Sequence, residues 1–321
     1  MARRRHLPPV DLAVDLGPVR LPTPIVAASG TFGHGAEVAS LCDPRGIGAV
    51  TTKSVAVFAS EGNPPLRVTE SAGGMLNSVG LPGPGVDAWI EHDLPALEAR
   101  GARVIASVWG RSVADYEAAA RALKAVAARV VAVEVNLSCP NVEARADVFA
   151  HAPDSTRDAT KAVVAALGDA VPVFAKLSPN VTDIVGIADA ALDAGATGLT
   201  LVNTVMGIAI DASTRTPRLG AGGGGLSGPP IKPIALRAVW EVARAHPGIP
   251  IIGTGGVANG EDAVEMLLAG ATAVGVGTAT FADPRATRRI AAELELWCAR
   301  NDVARVRDLT GALNGPTGGS S

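Results

Sequence analysis

Short runs of β-branched and other apolar residues recur along the chain, separated by Ala- and Leu-rich stretches with helical spacing. Such alternation marks βα units around a parallel sheet, because a strand must be followed by a crossover before the next can lie parallel to it. Eight runs qualify: Pro24–Ala28, Ala49–Lys53, Arg103–Val108, Val130–Asn136, Val173–Leu177, Gly198–Val202, Pro250–Gly253 and Ala273–Gly277. They are apolar throughout, as strands covered on both faces must be. Gly46, Gly101, Gly195 and Gly270 each stand where a helix gives way to the next strand. Two of these junctions read as copies, Asp193-Ala-Gly-Ala-Thr-Gly-Leu-Thr-Leu201 and Leu268-Ala-Gly-Ala-Thr-Ala-Val-Gly-Val276, so the unit itself repeats.

Eight units predict an α/β fold, a single (β/α)8 TIM barrel, with a doubly wound open sheet as the competing arrangement. A chain of 321 residues fits one such domain. Residues 10–311 are expected to form the barrel, with residues 1–9 as a disordered N-terminal tail and 312–321 as a flexible C-terminal one. Within Val10–Leu21, a Gly17-Pro18 turn between alternating residues predicts a small β-hairpin that plugs the bottom of the barrel.

Composition removes several function classes. The 28 Lys+Arg against 31 Asp+Glu leave a net charge of -3, which offers nucleic acid or anionic lipid no general attraction. No apolar run is long enough to span a membrane, and Arg3-Arg4-Arg5 is followed by Pro8-Pro9, not by a signal-type core. A cytoplasmic, reducing location is expected, since the 3 cysteines (Cys42, Cys139, Cys298) suit neither a disulfide framework nor a cluster. The 5 histidines form no metal-binding pattern, so no metal is expected.

Three connections exceed simple turns, Ser54–Gly85, Leu137–Ser155 and Asn203–Pro230, and each follows the carboxyl end of a strand, where barrel enzymes build their sites. The long loops are therefore expected at the C-terminal face. Ser29, Lys53, Ser107, Asn136, Cys139, Lys176, Asn203, Thr204, Gly255, Gly256, Gly277 and Thr278 gather at that rim.

Gly253-Thr-Gly-Gly256 and Gly275-Val-Gly-Thr278 follow the last two strands, where glycines let backbone N–H groups approach a phosphate; a phosphorylated cofactor is implied. Gly222–Gly225 reads instead as a flexible loop. Cys139, in a polar, Pro-interrupted segment, is the reactive thiol candidate and suits a general base, whereas Cys42 and Cys298 on helical stretches read as inert packing. Lys53 and Lys176 end apolar strands, so both ammonium groups are expected in the same mouth. There they suit either an anionic ligand or Schiff-base chemistry. Asn77, Asn136, Asn141 and Asn203 offer amides that both donate and accept, suiting a small planar ligand.

Asn77-Ser-Val-Gly-Leu-Pro-Gly-Pro-Gly85, Asn136-Leu-Ser-Cys-Pro-Asn141, Lys176-Leu-Ser-Pro-Asn-Val-Thr-Asp183 and Gly225-Leu-Ser-Gly-Pro229 resemble the class 1 dihydroorotate dehydrogenases. The third motif, with Asn203-Thr-Val-Met-Gly207, is most similar to the NAD-linked class 1B catalytic subunit. The resemblance runs from about Val10 to Asn301.

It implies an FMN enzyme oxidising dihydroorotate to orotate in pyrimidine synthesis, with Cys139 as base and Lys53 and Lys176 as charged helpers. FMN would be held by Ser29, Lys53, Ser54, Ser107, Asn136, Lys176, Val202, Gly228, Gly255, Gly256, Gly277 and Thr278. The substrate would be held by Lys53, Asn77, Ser78, Val79, Gly80, Leu81, Asn136, Asn141, Asn203 and Thr204. It further implies a homodimeric core and an FAD and iron–sulfur partner subunit that passes electrons to NAD.

Two departures stand out: Ser107 replaces the family's usual Asn, and the loop Val142–Phe149 lacks the usual Gly-rich lid. A fumarate-reducing class 1A enzyme, a paralogue acting on another dihydropyrimidine, a Schiff-base lyase and a non-catalytic phosphate-ligand binder are the competing readings.

Overall fold

The structure is a computed structural model and describes residues 8–138, 140, 141 and 147–314. The expected tails, residues 1–9 and 312–321, thus lie outside the described residues except for 8, 9 and 312–314. All eight anticipated strands form, six of them trimmed by a residue or two, the fifth with its expected bounds and the seventh shifted by one residue: β1 Ile25–Ala27, β2 Ala49–Thr51, β3 Val104–Val108, β4 Ala132–Asn136, β5 Val173–Leu177, β6 Gly198–Leu201, β7 Ile251–Thr254 and β8 Ala273–Val276. Each pairs in parallel with its neighbours in chain order, and β8 returns to β1 through Val274↔Ile25 and Gly275↔Val26, closing the barrel. The open sheet is thereby excluded.

Helices Val113–Lys124, Pro153–Leu167, Ile184–Asp193, Lys232–Ala245, Gly260–Ala269 and Ala286–Arg300 return the chain after β3 to β8, and helical segments over 86–99 do so after β2. Two of them start on reciprocal caps. Ser112 and Asp115 bond each other's backbone N–H groups, and so do Asn259 and Asp262. After β1 the return holds only a short 3₁₀ turn, Pro44–Gly46, because Gly35, Asp43, Pro44 and Gly46 interrupt any helical run there. Cys42 accordingly lies in a turn and not on a helix; it is buried, its Sγ 3.2 Å from Thr287 Oγ1. Cys298, on Ala286–Arg300, is buried as expected, and desolvation pushes its thiol up to about 11.

The hairpin pairs Val14–Leu16 with Val19–Leu21 across a left-handed Gly17 at φ +61°. Leu16 and Leu21 are fully buried. A Cβ at Gly17 would lie 3.3 Å from Pro250 and Thr197, and one at Gly48 3.5 Å from Leu21. Those three contacts fall just before β7, β6 and β2, so the hairpin crosses the N-terminal end of the barrel.

The opposite end carries structure that the sequence reading treats as loop. Val205–Gly207, Gly224–Ser227, Gly74–Asn77 and Val68–Ser71 form a four-stranded antiparallel sheet in that order. Gly222–Gly225 is therefore not a free loop: Gly224 and Gly225 are buried strand residues. Gly225 has room for no side chain, because Thr204 packs directly against it.

Candidate functional site

In a β-barrel strand every second residue faces inward. On β4 this brings Glu134 and Asn136 inside together, and on β3, β5 and β6 it brings Ser107, Lys176 and Thr200 toward them. All five are buried. The Lys176 Nζ lies 3.8 Å from Glu134 Oε1, with side-chain exposures of 8% and 2%. A buried ammonium requires such a partner, since an isolated charge there would cost several kcal/mol. Glu134 also accepts from Ser107 Oγ (3.3 Å) and Thr200 Oγ1 (3.0 Å).

From Ser107 the contacts continue to the rim. Ser107 Oγ is 2.9 Å from Ser54 Oγ, which accepts from Asn136 Nδ2 at 3.0 Å; Ser29 Oγ lies 3.4 Å from Ser54 and donates to the Thr52 carbonyl. Asn136 Oδ1 faces Asn203 Nδ2 at 3.4 Å, and Asn203 Oδ1 accepts from the Thr204 N–H. Val202 is buried beside them, its N–H on the Thr254 carbonyl. Ser29, Ser54, Ser107, Asn136, Lys176, Val202, Asn203 and Thr204 thus form one continuous cluster.

The glycines expected to cradle a phosphate stand at the ends of β7 and β8. Gly255 and Gly256 turn with φ of +135° and +78°. A Cβ on Gly255 would meet Ala235 at 2.7 Å, and one on Gly256 would meet the Lys232 backbone at 2.8 Å, so only glycine lets this turn sit against Lys232–Ala245. Thr278 Oγ1 donates to Ser227 Oγ at 2.7 Å, beside Gly228 at φ +93°; Gly277 faces Ala28 and Thr31, next to Ser29. Thr254 Oγ1 is buried without a hydrogen-bond partner among the described residues. Glycine turns, clustered hydroxyls, an unsatisfied buried oxygen and a lysine in one mouth fit a phosphorylated, polar-ringed group such as FMN.

The remaining substrate candidates border this mouth. Asn77 Nδ2 donates to the Gly225 carbonyl across the antiparallel sheet. Asn63 holds Ser78 and Val79, its Nδ2 on Ser78 Oγ (2.8 Å) and its N–H on the Val79 carbonyl (3.0 Å). Gly80 and Leu81 are left-handed at φ +75° and +56°. Lys53 is half-buried, and a Cβ on Gly30 would lie 3.4 Å from its Nζ. Cys139 and the changed loop over 142–146 lie outside the described residues; Asn141 is described only by its backbone, pairing with Asp147.

Sequence reasoning misses Glu134, Asn63 and Asn180. Asn180 clasps the strand after Asn203, donating from Nδ2 to the Thr204 carbonyl (3.0 Å) and accepting from the Met206 N–H (2.8 Å). A usable signal existed for Glu134, which stands two residues before Asn136 and must share its face. Among the described residues no group of His, Cys, Asp and Glu could hold a metal ion, and no helix is long and apolar enough to cross a membrane.

A family profile described as dihydroorotate dehydrogenase matches residues 11–297. The chain belongs to the dihydroorotate dehydrogenase family. A protein of Geobacter sulfurreducens named dihydroorotate dehydrogenase B (NAD(+)), catalytic subunit, is 47% identical over 94% of this chain and 98% of its own length. Proteins of the same name from Geobacter metallireducens (46% identical; 94% and 98%) and Alkaliphilus metalliredigens (44%; 95% and 99%) match equally fully. The motifs that resemble class 1B therefore sit in a chain similar to B-type subunits from end to end.

Proposed function

We propose that this chain is the catalytic subunit of an NAD-linked dihydroorotate dehydrogenase, oxidising dihydroorotate to orotate for pyrimidine synthesis. The observation that carries the reading is the continuous cluster from Ser29 and Ser54 through Asn136 to Asn203, with Lys176 beneath it, in a member of this family.

FMN would be held by Ser29, Lys53, Ser54, Ser107, Asn136, Lys176, Val202, Gly228, Gly255, Gly256, Gly277 and Thr278, and would supply the acceptor for the hydride that leaves C6 of the substrate. Cys139, as thiolate, takes the C5 proton, so the substrate loses one proton and one hydride. Lys176 gives the cofactor side of the site a fixed positive charge, which favours uptake of an electron pair. Lys53 pairs with the substrate carboxylate. The amides of Asn77, Asn136, Asn141 and Asn203, with Ser78, Val79, Gly80, Leu81 and Thr204, orient the ring and keep water from it.

Onward transfer to NAD needs a second protein, because 3 cysteines do not suit an iron–sulfur cluster and the sequence carries no dinucleotide-binding βαβ fingerprint. An FAD and iron–sulfur subunit fills that place; the relatives are named as NAD(+)-linked catalytic subunits, which is consistent with a second chain beside each of them. The ion pair of Lys176 argues against Schiff-base chemistry, in which the lysine is activated by an apolar pocket or another cation.

An absorbance spectrum of the purified chain, before and after dihydroorotate under nitrogen, tests cofactor and substrate together. The expected result is a flavin spectrum that bleaches on addition. A colourless protein that takes up no FMN, or a flavin left oxidised by dihydroorotate, rejects the reading.

A further inference from the structure

Glu134 is the one charged residue of the buried cluster to which neither the motifs nor the reaction assigns a task. Its carboxylate can only accept, and what it accepts decides how its neighbours point. Ser107 donates its hydrogen to Glu134 Oε1. In the 2.9 Å contact between Ser54 and Ser107, Ser54 must then be the donor. With its own hydrogen committed, Ser54 receives Asn136 Nδ2 at 3.0 Å. Ser29 does not interrupt the sequence, because it is farther from Ser54 at 3.4 Å and spends its hydrogen on the Thr52 carbonyl. The donors run one way, Asn136 to Ser54 to Ser107 to Glu134, and the Asn136 amide is thereby fixed with Oδ1 toward Asn203 and the Ser138 N–H. The same Oε1 faces Lys176, while Oε2 is taken by Thr200.

We propose that Glu134 is a positioning residue: its carboxylate ends a one-way chain of hydrogen bonds that sets which side of the Asn136 amide faces the ligand, and from the same oxygen it balances the charge of Lys176. An amide at 134 would donate as well as accept and would carry no charge, so both effects depend on the carboxylate and not on its shape. The inference rests on the FMN reading only for its effect on the flavin.

The test compares FMN-loaded wild type, Glu134→Gln and Glu134→Asp by flavin midpoint potential. With the anion gone, Lys176 acts on the flavin unbalanced, and the equilibrium constant for two-electron reduction should rise about tenfold, an upward shift of about 30 mV. Glu134→Asp keeps the charge and should return the potential to within about threefold of wild type in that constant. A Gln variant at the wild-type potential, or Asp and Gln variants shifted alike, overturns the charge role. Ser107→Ala cuts the chain and leaves the ion pair, and it decides the matter if Glu134→Gln does not fold. The expected loss falls chiefly on KM for dihydroorotate, by about tenfold, with any change in potential smaller than that of Glu134→Gln; an unchanged KM overturns the orienting role. Should the wild type take up no flavin, the cofactor reading fails by itself. Glu134 is then judged from the Asn136 side-chain amide protons of the flavin-free chain, which should exchange about tenfold faster in Ser107→Ala, equal rates overturning the proposal.

Discussion

The two ends of the barrel are built on opposite principles. At the N-terminal end, Leu16 and Leu21 of the hairpin are sealed against the strand starts with no exposed surface. At the C-terminal end, Ser54, Ser107, Glu134, Asn136, Lys176 and Thr200 are buried as well, and every one is polar. Apolar burial lowers the free energy of the fold by roughly 25 cal/mol per Å², whereas a buried polar cluster at best recovers what its desolvation costs. One end of the molecule holds it together, and the other is maintained for chemistry.

That division can be broken by substitution. The largest effect is expected from Cys139→Ser, which should slow flavin reduction near neutral pH by about 10²–10⁴-fold, because an alcohol is a much weaker acid than a thiol. Stopped-flow reduction with dihydroorotate measures it, and a fast Ser variant would assign the proton to another base. Lys176→Ala should slow reduction and weaken flavin retention, and by leaving Glu134 without its cation it should also cost roughly 3 kcal/mol in denaturant unfolding. A variant with unchanged reduction kinetics would remove the role given to Lys176.

At the other end the expectation reverses. Leu16→Ala should cost about 2–5 kcal/mol of stability with turnover per folded molecule unchanged, and a loss of turnover in the folded fraction would contradict the division drawn here. Gly17→Ala, at φ +61°, should cost roughly 1–2 kcal/mol by the same measurement.

The smallest effect concerns His34, in the loop after β1. Its imidazole is held below the ordinary 6.5, chiefly by burial, with Lys53 adding to the shift and Asp93 and Glu37 opposing it. The unfolded chain therefore takes up this proton more readily, so the stability from neutral His34 is present above pH 6.5 and declines as the pH falls toward the folded value. His34→Gln should flatten that part of the stability profile, as followed by unfolding between pH 7 and about pH 5.

The same contrast explains what could be read in advance. Barrel strands such as Ala273–Val276 are continuous apolar runs between glycine punctuation, here Gly270 and Gly277, a local signal, and they stand where the runs stand. The sheet over the mouth escapes that reading because Gly74-Met-Leu-Asn77 and Gly224-Gly-Leu-Ser227 have poor strand propensity, and their pairing joins residues as far apart as Met75 and Ser227. Candidates carried by motifs, such as Asn136 and Lys176, could be singled out in the sequence, and the structure brings them into one cluster. Glu134 was not, since a single carboxylate in a Val-rich run acquires meaning only when the barrel closes and sets Lys176, Ser107 and Thr200 around it. Asn63 and Asn180 were hidden for a related reason: Asn63 bonds the Ser78 hydroxyl and Asn180 the backbone of Thr204 and Met206, all partners well beyond the reach of a local pattern.

The hairpin beneath the strands has a last consequence, for traffic. A vessel stoppered at its base has a single doorway, so whatever enters the site leaves by the way it came. Ring and product must take turns at that threshold, and any protein collecting electrons has to stand where it does not bar the door.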